Sequence, residues 1–184
     1  QEDDCTAFIV PDARSDGQGF YGQTWDMHDT ATPYVVLLRL RPKDGQAALV
    51  FTTTGCLGQL GMNEAGVCVG INNLVATDGC PGVMWTSVVR DALLQESAAS
   101  ARDAILDAEL AGAHSFLTFD ASGDGYMIEA FPTARPAKQL ADDALVHTNH
   151  ALWDEALARQ ATKQEDLMVN STRRRDRALQ LLAR

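Results

Sequence analysis

Apolar and polar positions along the chain change period twice. The first half reads as short strands. Residues 5–10, "CTAFIV", form an apolar run closed by the turn-rich "PDARSDGQG", and Phe20 to Asp26 follows as a second strand. "YVVLLRLRP" and "QAALVFTTT" flank Lys43-Asp44-Gly45, a hairpin signal. Past a glycine-punctuated stretch from Gly55 to Gly66, "VCVGINNL" predicts a further strand. The middle then shifts to helical spacing. Val83, Met84, Val88, Ala92 and Leu93 fall on one face of a helix over Val83–Gln95, and Ala101, Ala104, Ile105 and Ala108 on one over Ser100–Leu110. Strand patterns return as "HSFLTFD" and "YMIEAF" around the turn "ASGDG", then as "ALVHTNH", and a helix near Ser171–Leu182 closes the chain. Sheet, helix pair, sheet and helix in that order predict an α+β layered domain rather than alternating βαβ units.

Composition narrows the function classes. The 184 residues suit one domain with a real core, and 46% hydrophobic with 22% charged is ordinary for a globular chain. The net charge of −10 repels phosphate backbones, so nucleic acid is not an expected partner. No apolar run approaches the ~20 residues of a membrane span, so no membrane partner is expected and a cytoplasmic setting is favoured. The polar, acidic first residues show no secretory signal, but the chain begins with Gln, so the compartment is not read from this end. The basic run Arg173, Arg174, Arg175 and Arg177 reads as the solvated face of the last helix. Cys56, Cys68 and Cys80 lack the paired spacing of zinc ligands and read as buried hydrophobes or loop thiols.

Cys5 stands apart. At a strand start it is either a small buried hydrophobe or a nucleophile. One arrangement for a nucleophile is a papain-like Cys–His pair with His147 or His150, but no Cys-Gly-Ser-Cys-Trp signature surrounds Cys5. His147-x-x-His150 as a metal site lacks a third ligand at helpful spacing. Four stretches carry another reading: "CTAFIV", "GQTWD", "GQLGMNEAGVCVGINNL" and "HTNH", with an Asn-Ser-x-x-Arg-Arg run after them. In this order they resemble the acyl-coenzyme A:6-aminopenicillanic-acid acyltransferase-like family, cysteine members of the N-terminal nucleophile (Ntn) hydrolases. Two positions depart from its pattern. Thr24 stands where members often carry Asn, and Asp4 where many have Gly before the nucleophile.

The resemblance implies a four-layer αββα sandwich of two stacked antiparallel sheets between helix layers. It implies residues 1–4 as the tail of a propeptide and 5–184 as the catalytic domain, incomplete at its C-terminus, with the family's later arginine unmatched. The implied activity is a self-processing amidohydrolase or acyltransferase that cuts a linear amide through a thioester. Cys5 would attack the carbonyl of Asp4 and then serve as nucleophile with its own freed α-amine as base. Asp26 would hold that amine, Asn149 would donate to the oxyanion, and Asn72 (or Asn73, one register away) would be the second contact. Asp26 and the asparagines also suit plain turn hydrogen bonding. No cofactor is implied, and coenzyme A thioester enters only as a co-substrate. The expected partners are a small-molecule amide substrate and a propeptide or second subunit of the same precursor, and a homo-oligomer is compatible. From another class, the same fold could act as a catalytically silent binding module.

Overall fold

The computed structural model describes residues 4–183. In chain order the strands are β1 (Thr6–Val10), β2 (Phe20–Thr24), β3 (Val35–Leu40), β4 (Ala48–Thr53), β5 (Leu60–Asn63) and β6 (Cys68–Asn73), followed by α1 (Trp85–Ala92) and α2 (Ala98–Asp107). Then come β7 (His114–Phe119), β8 (Gly125–Ala130), β9 (Ala137–Gln139), β10 (Leu145–His147), α3 (Asp154–Leu157) and α4 (Glu165–Leu182). Among the described residues the strands form two antiparallel sheets, one of three strands in the order β10-β1-β2 and one of seven running β3 to β9 in sequence.

Side-chain alternation assigns the layers. Val69 and Ile71 of β6 point one way and share a core with Val88, Val89, Ala92, Ala101 and Ile105 of the helix pair. Leu117, Phe119 and Met127 point the other way and pack on Ala7, Ile9 and Leu145 of the small sheet. The outer side of β1 and β10 carries α4. Helix pair, large sheet, small sheet and helix make the αββα order. Each fully buried isoleucine or leucine in these layers contributes about 1.5–3 kcal/mol.

Gly45, at φ +102, makes the predicted β3–β4 turn. The helices depart from the periodic pattern at their starts. α1 begins at Trp85, not Val83, because Val83 pairs with Leu110 in a bridge and Met84 is 63% exposed; Val89 takes their place on the inward face. α2 begins at Ala98, before the predicted Ser100, because Ser97 and Ser100 form a reciprocal cap (Ser100 N to Ser97 Oγ 3.1 Å, Ser97 N to Ser100 Oγ 3.2 Å). α4 starts well before Ser171, with Glu165 and Asp166 in its first turn, where acidic groups meet the positive end of the helix dipole.

Candidate active site

Cys5 immediately precedes β1 and is 4% exposed, on the face it shares with Ala7 and Ile9 between the sheets. The antiparallel partners set its neighbours. Ala7 lies opposite His147, so the chain leaving β10 brings Thr148 and Asn149 alongside the start of β1. Thr6 lies opposite Thr24, which brings Trp25 and Asp26 up on the other side. Thr24 Oγ1 accepts from Thr6 N (3.1 Å) and donates to Asp26 Oδ2 (3.4 Å); Asp26 itself is exposed.

Arg174, which its run of like charges places on a solvated helix face, ties these residues together. Arg174 reaches from α4 to the start of β1, where its Nη1 donates to Cys5 O (2.6 Å) and Thr6 Oγ1 (3.0 Å). Its Nη2 donates to Asn149 Oδ1 (3.1 Å) and pairs with Asp4 Oδ1 (3.5 Å), while Nε donates to Asn170 Oδ1 (2.6 Å). Burial pulls the guanidinium pKa below its ordinary value, against Asp4, Cys5 and Asp26, which raise it. The basic run is therefore not a solvated face throughout: Arg173 and Arg177 are exposed, but Arg174 enters the site and Arg175 Nε donates to Val146 O (3.3 Å). The available signal was the Asn-Ser-x-x-Arg spacing, which sets Asn170 and Arg174 one helical turn apart.

Asn149 is fully buried and held on every side. Its backbone N donates to Ser171 Oγ (2.9 Å), its carbonyl accepts from Lys163 Nζ (2.6 Å), and Nδ2 donates to Asn73 O (3.2 Å), leaving that amide a second N–H to offer. Asn72, also wholly buried, has neither Nδ2 nor Oδ1 partnered among the described residues. It shares the inward face of β6 with Gly70, where any Cβ would collide with Tyr21 Oη and Gln23 Oε1 of β2. Gln23 in turn clasps the backbone beside Asn72, with Nε2 donating to Ile71 O (2.5 Å) and Oε1 accepting from Ile71 N (3.0 Å). Gln23 stands in the "GQTWD" motif, and its bridging role needs the facing sheet to be seen.

The histidines are committed elsewhere. His147 Nδ1 donates to Thr148 O (2.5 Å) and Nε2 to Glu129 Oε1 (2.8 Å), so neither ring nitrogen is available to a thiol. His150 Nδ1 lies 2.8 Å from Ser171 Oγ and 3.2 Å from Thr148 Oγ1. Burial first, then His147, Arg175, Lys163 and Arg174, lower its pKa to about 4. Among the described residues no cluster of three or more His, Cys, Asp or Glu could hold a metal ion, and Cys56, Cys68 and Cys80 are free thiols. An open groove of about 640 Å³, lined by Arg39, Arg41, Met62 and Glu64, lies at the opposite end of β3 and β5 from this site.

Comparison with known proteins agrees with this architecture. The family described as acyl-coenzyme A:6-aminopenicillanic acid acyl-transferase matches residues 13–184, a span that begins after Cys5. The chain is 27% identical over 156 residues to the 40 kDa form of acyl-coenzyme A:6-aminopenicillanic-acid-acyltransferase of Emericella nidulans, covering 82% of this chain and 42% of that protein. In fold it is similar to the penicillin V acylase of Agrobacterium tumefaciens, with a TM-score of 0.50 at 15% identity, covering 86% of this chain and 49% of the other. It is also similar to a mutant conjugated bile acid hydrolase of Clostridium perfringens, with a TM-score of 0.57 at 13% identity, covering 82% and 54%. The chain thus spans about half the length of these relatives.

Proposed function

The chain belongs to the acyl-coenzyme A:6-aminopenicillanic acid acyl-transferase family, and from that premise we propose that it is the catalytic portion of a self-processing N-terminal cysteine amidohydrolase or acyltransferase. One observation carries this reading: a single guanidinium, that of Arg174, bonds both Cys5 O and Asn149 Oδ1, so the candidate nucleophile and the candidate oxyanion donor share one anchor.

In the first step the Cys5 thiol attacks the carbonyl carbon of Asp4. The Asp4–Cys5 C–N bond breaks as the nitrogen gains a proton, and water opens the resulting thioester to release a segment ending in Asp4. The freed α-amine, with an ordinary pKa of about 7.7–8.0, then takes the thiol proton. Cys5 attacks a small-molecule amide, the amine returns the proton to the leaving nitrogen, and the acyl group leaves Cys5 on water or on an acceptor thiol such as coenzyme A. Asn149 Nδ2 donates to the tetrahedral oxyanion, and Asn72 supplies the second amide; one such donor is worth about 2.7–4 kcal/mol of barrier. Arg174 holds positive charge beside Cys5, and Asp26 holds the α-amine once the cleavage has made it.

Cys5→Ala tests the proposal at both steps. The full polypeptide should remain uncut at Asp4–Cys5 in mass spectrometry and show no amidase activity, while Cys5→Ser should cut slowly, since a hydroxyl is the poorer nucleophile at neutral pH. Cutting that persists in Cys5→Ala assigns the cleavage to another protease, and activity that persists removes Cys5 as nucleophile.

A further inference from the structure

Glu129 is the one acidic side chain among the described residues that is fully buried at 0% exposure. It stands on β8 opposite Ser115, which in turn stands opposite Asn72, so the three form a row across the inward face of the large sheet. From there the carboxylate crosses to the small sheet. Oε1 accepts from His147 Nε2 (2.8 Å) and from Leu152 N (2.7 Å), and Oε2 accepts from Trp153 N (3.3 Å). It thereby grips the 147–153 segment before and after Asn149, while His147 Nδ1 donates on to Thr148 O (2.5 Å). From the other side Ser171 Oγ accepts from Asn149 N (2.9 Å).

A buried carboxyl–imidazole pair is a poor means of gaining stability, because desolvation offsets the attraction, and an apolar pair of the same volume often does as well. What such a pair does supply is fixed geometry, and the segment it fixes carries Asn149. We propose that Glu129 is a positioning residue: from beneath the small sheet it clamps the 147–153 segment so that the Asn149 side-chain amide is already aimed at the oxyanion before substrate binds. The inference rests on reading Asn149 as the oxyanion donor. Glu129 touches no reacting atom and acts through Asn149 alone.

The test compares wild type, Glu129→Gln, Asn149→Ala and the double variant of the full polypeptide, with 4-nitroanilides of acetic, hexanoic and phenylacetic acid as probes. Gln keeps the shape but replaces one acceptor oxygen by an NH2 that faces donors. Displacing a catalytic donor by an ångström costs on the order of a hundredfold. Glu129→Gln should therefore lower kcat by about that factor with KM within about twofold, and add no further loss in the Asn149→Ala background. Additive losses in the double variant would overturn the proposal. A second arm needs no turnover. The Asn149 side-chain amide resonance, assigned by its absence from Asn149→Ala, should shift and exchange faster with solvent in Glu129→Gln. An unchanged resonance overturns the clamp, whereas a shifted resonance in a protein that cleaves none of the probes upholds the clamp and counts against the amidase reading. Should Glu129→Gln not fold, Glu129→Asp, which keeps the carboxyl group but shortens the reach, carries the same measurements.

Discussion

Asn72 and Arg174 show opposite limits of reading single residues. Asn72, in "GINNL", is a buried amide with neither polar atom partnered among the described residues, a costly state unless a ligand or water completes it. Arg174 sat in a run of like charges, where composition favours solvent, yet it bonds an atom 169 positions away in the chain. Histidines give a measurable residue-scale consequence. His114 is half-buried, stacked on Trp85 at 4.9 Å between ring centroids, and burial of its ring lowers its pKa to about 3. His150 is lowered to about 4. The unfolded chain, with histidines near 6.5, binds protons that the folded one refuses. Stability from both is therefore full above pH 6.5 and is lost as pH falls toward their folded values, by at most about 1.4 kcal/mol per pH unit for each. The melting temperature should drop between pH 7.5 and 4.5, and His114→Phe should flatten that drop in thermal unfolding followed by circular dichroism. An equally steep drop in the variant would remove His114 from the account.

At the level of elements, β1 packs on the large sheet while β2 closes over β6, and Gly70 is what lets β2 come down there. Tyr21 Oη donates to Gln23 Oε1 (2.8 Å) directly over Gly70, and Gln23 completes the backbone bonds of Ile71 beyond the end of β5. A side chain at 70 pushes the two sheets apart next to Asn72. Gly70→Val should cost about 1–3 kcal/mol, as overpacking does, and lower the urea midpoint. Tyr21→Phe in the same chain should recover part of it, because the hydroxyl is one of the colliding atoms. A Gly70→Val midpoint equal to wild type would show that the sheets yield there freely. Most strands and the hairpin at Gly45 are legible in the sequence, since period two and turn chemistry are local, whereas β5 lies within the glycine-punctuated stretch and β9 is three exposed residues with no apolar pattern. Helix starts are not legible, because Ser97 and the Val83–Leu110 bridge settle them through contacts the apolar pattern does not encode.

For the whole molecule, a three-stranded sheet faces a seven-stranded one, so part of the larger sheet's inner face has no layer above it among the described residues. Leu37, Leu49 and Met62 lie there at 67%, 44% and 48% exposure, near Phe51 and Leu60 in register. Contiguous apolar surface of this kind promotes association. The 1–184 polypeptide should bind a hydrophobic dye and self-associate in light scattering, and Leu37→Lys with Met62→Lys should reduce both without lowering the melting temperature. Unchanged dye binding in that variant would place the sticky surface elsewhere. From the sequence alone came the α+β layering, Cys5 at a strand start, and Asp26, Asn72 and Asn149 in motif order, because strand period, helix period and short motifs reside in neighbouring residues. The division into three and seven strands, the reach of Arg174 to Cys5 and Asn149, and the Glu129–His147 clamp were decided only by tertiary structure. Those are pairings between distant segments, and it is packing of the two sheets and the last helix, not local propensity, that brings them within bonding distance.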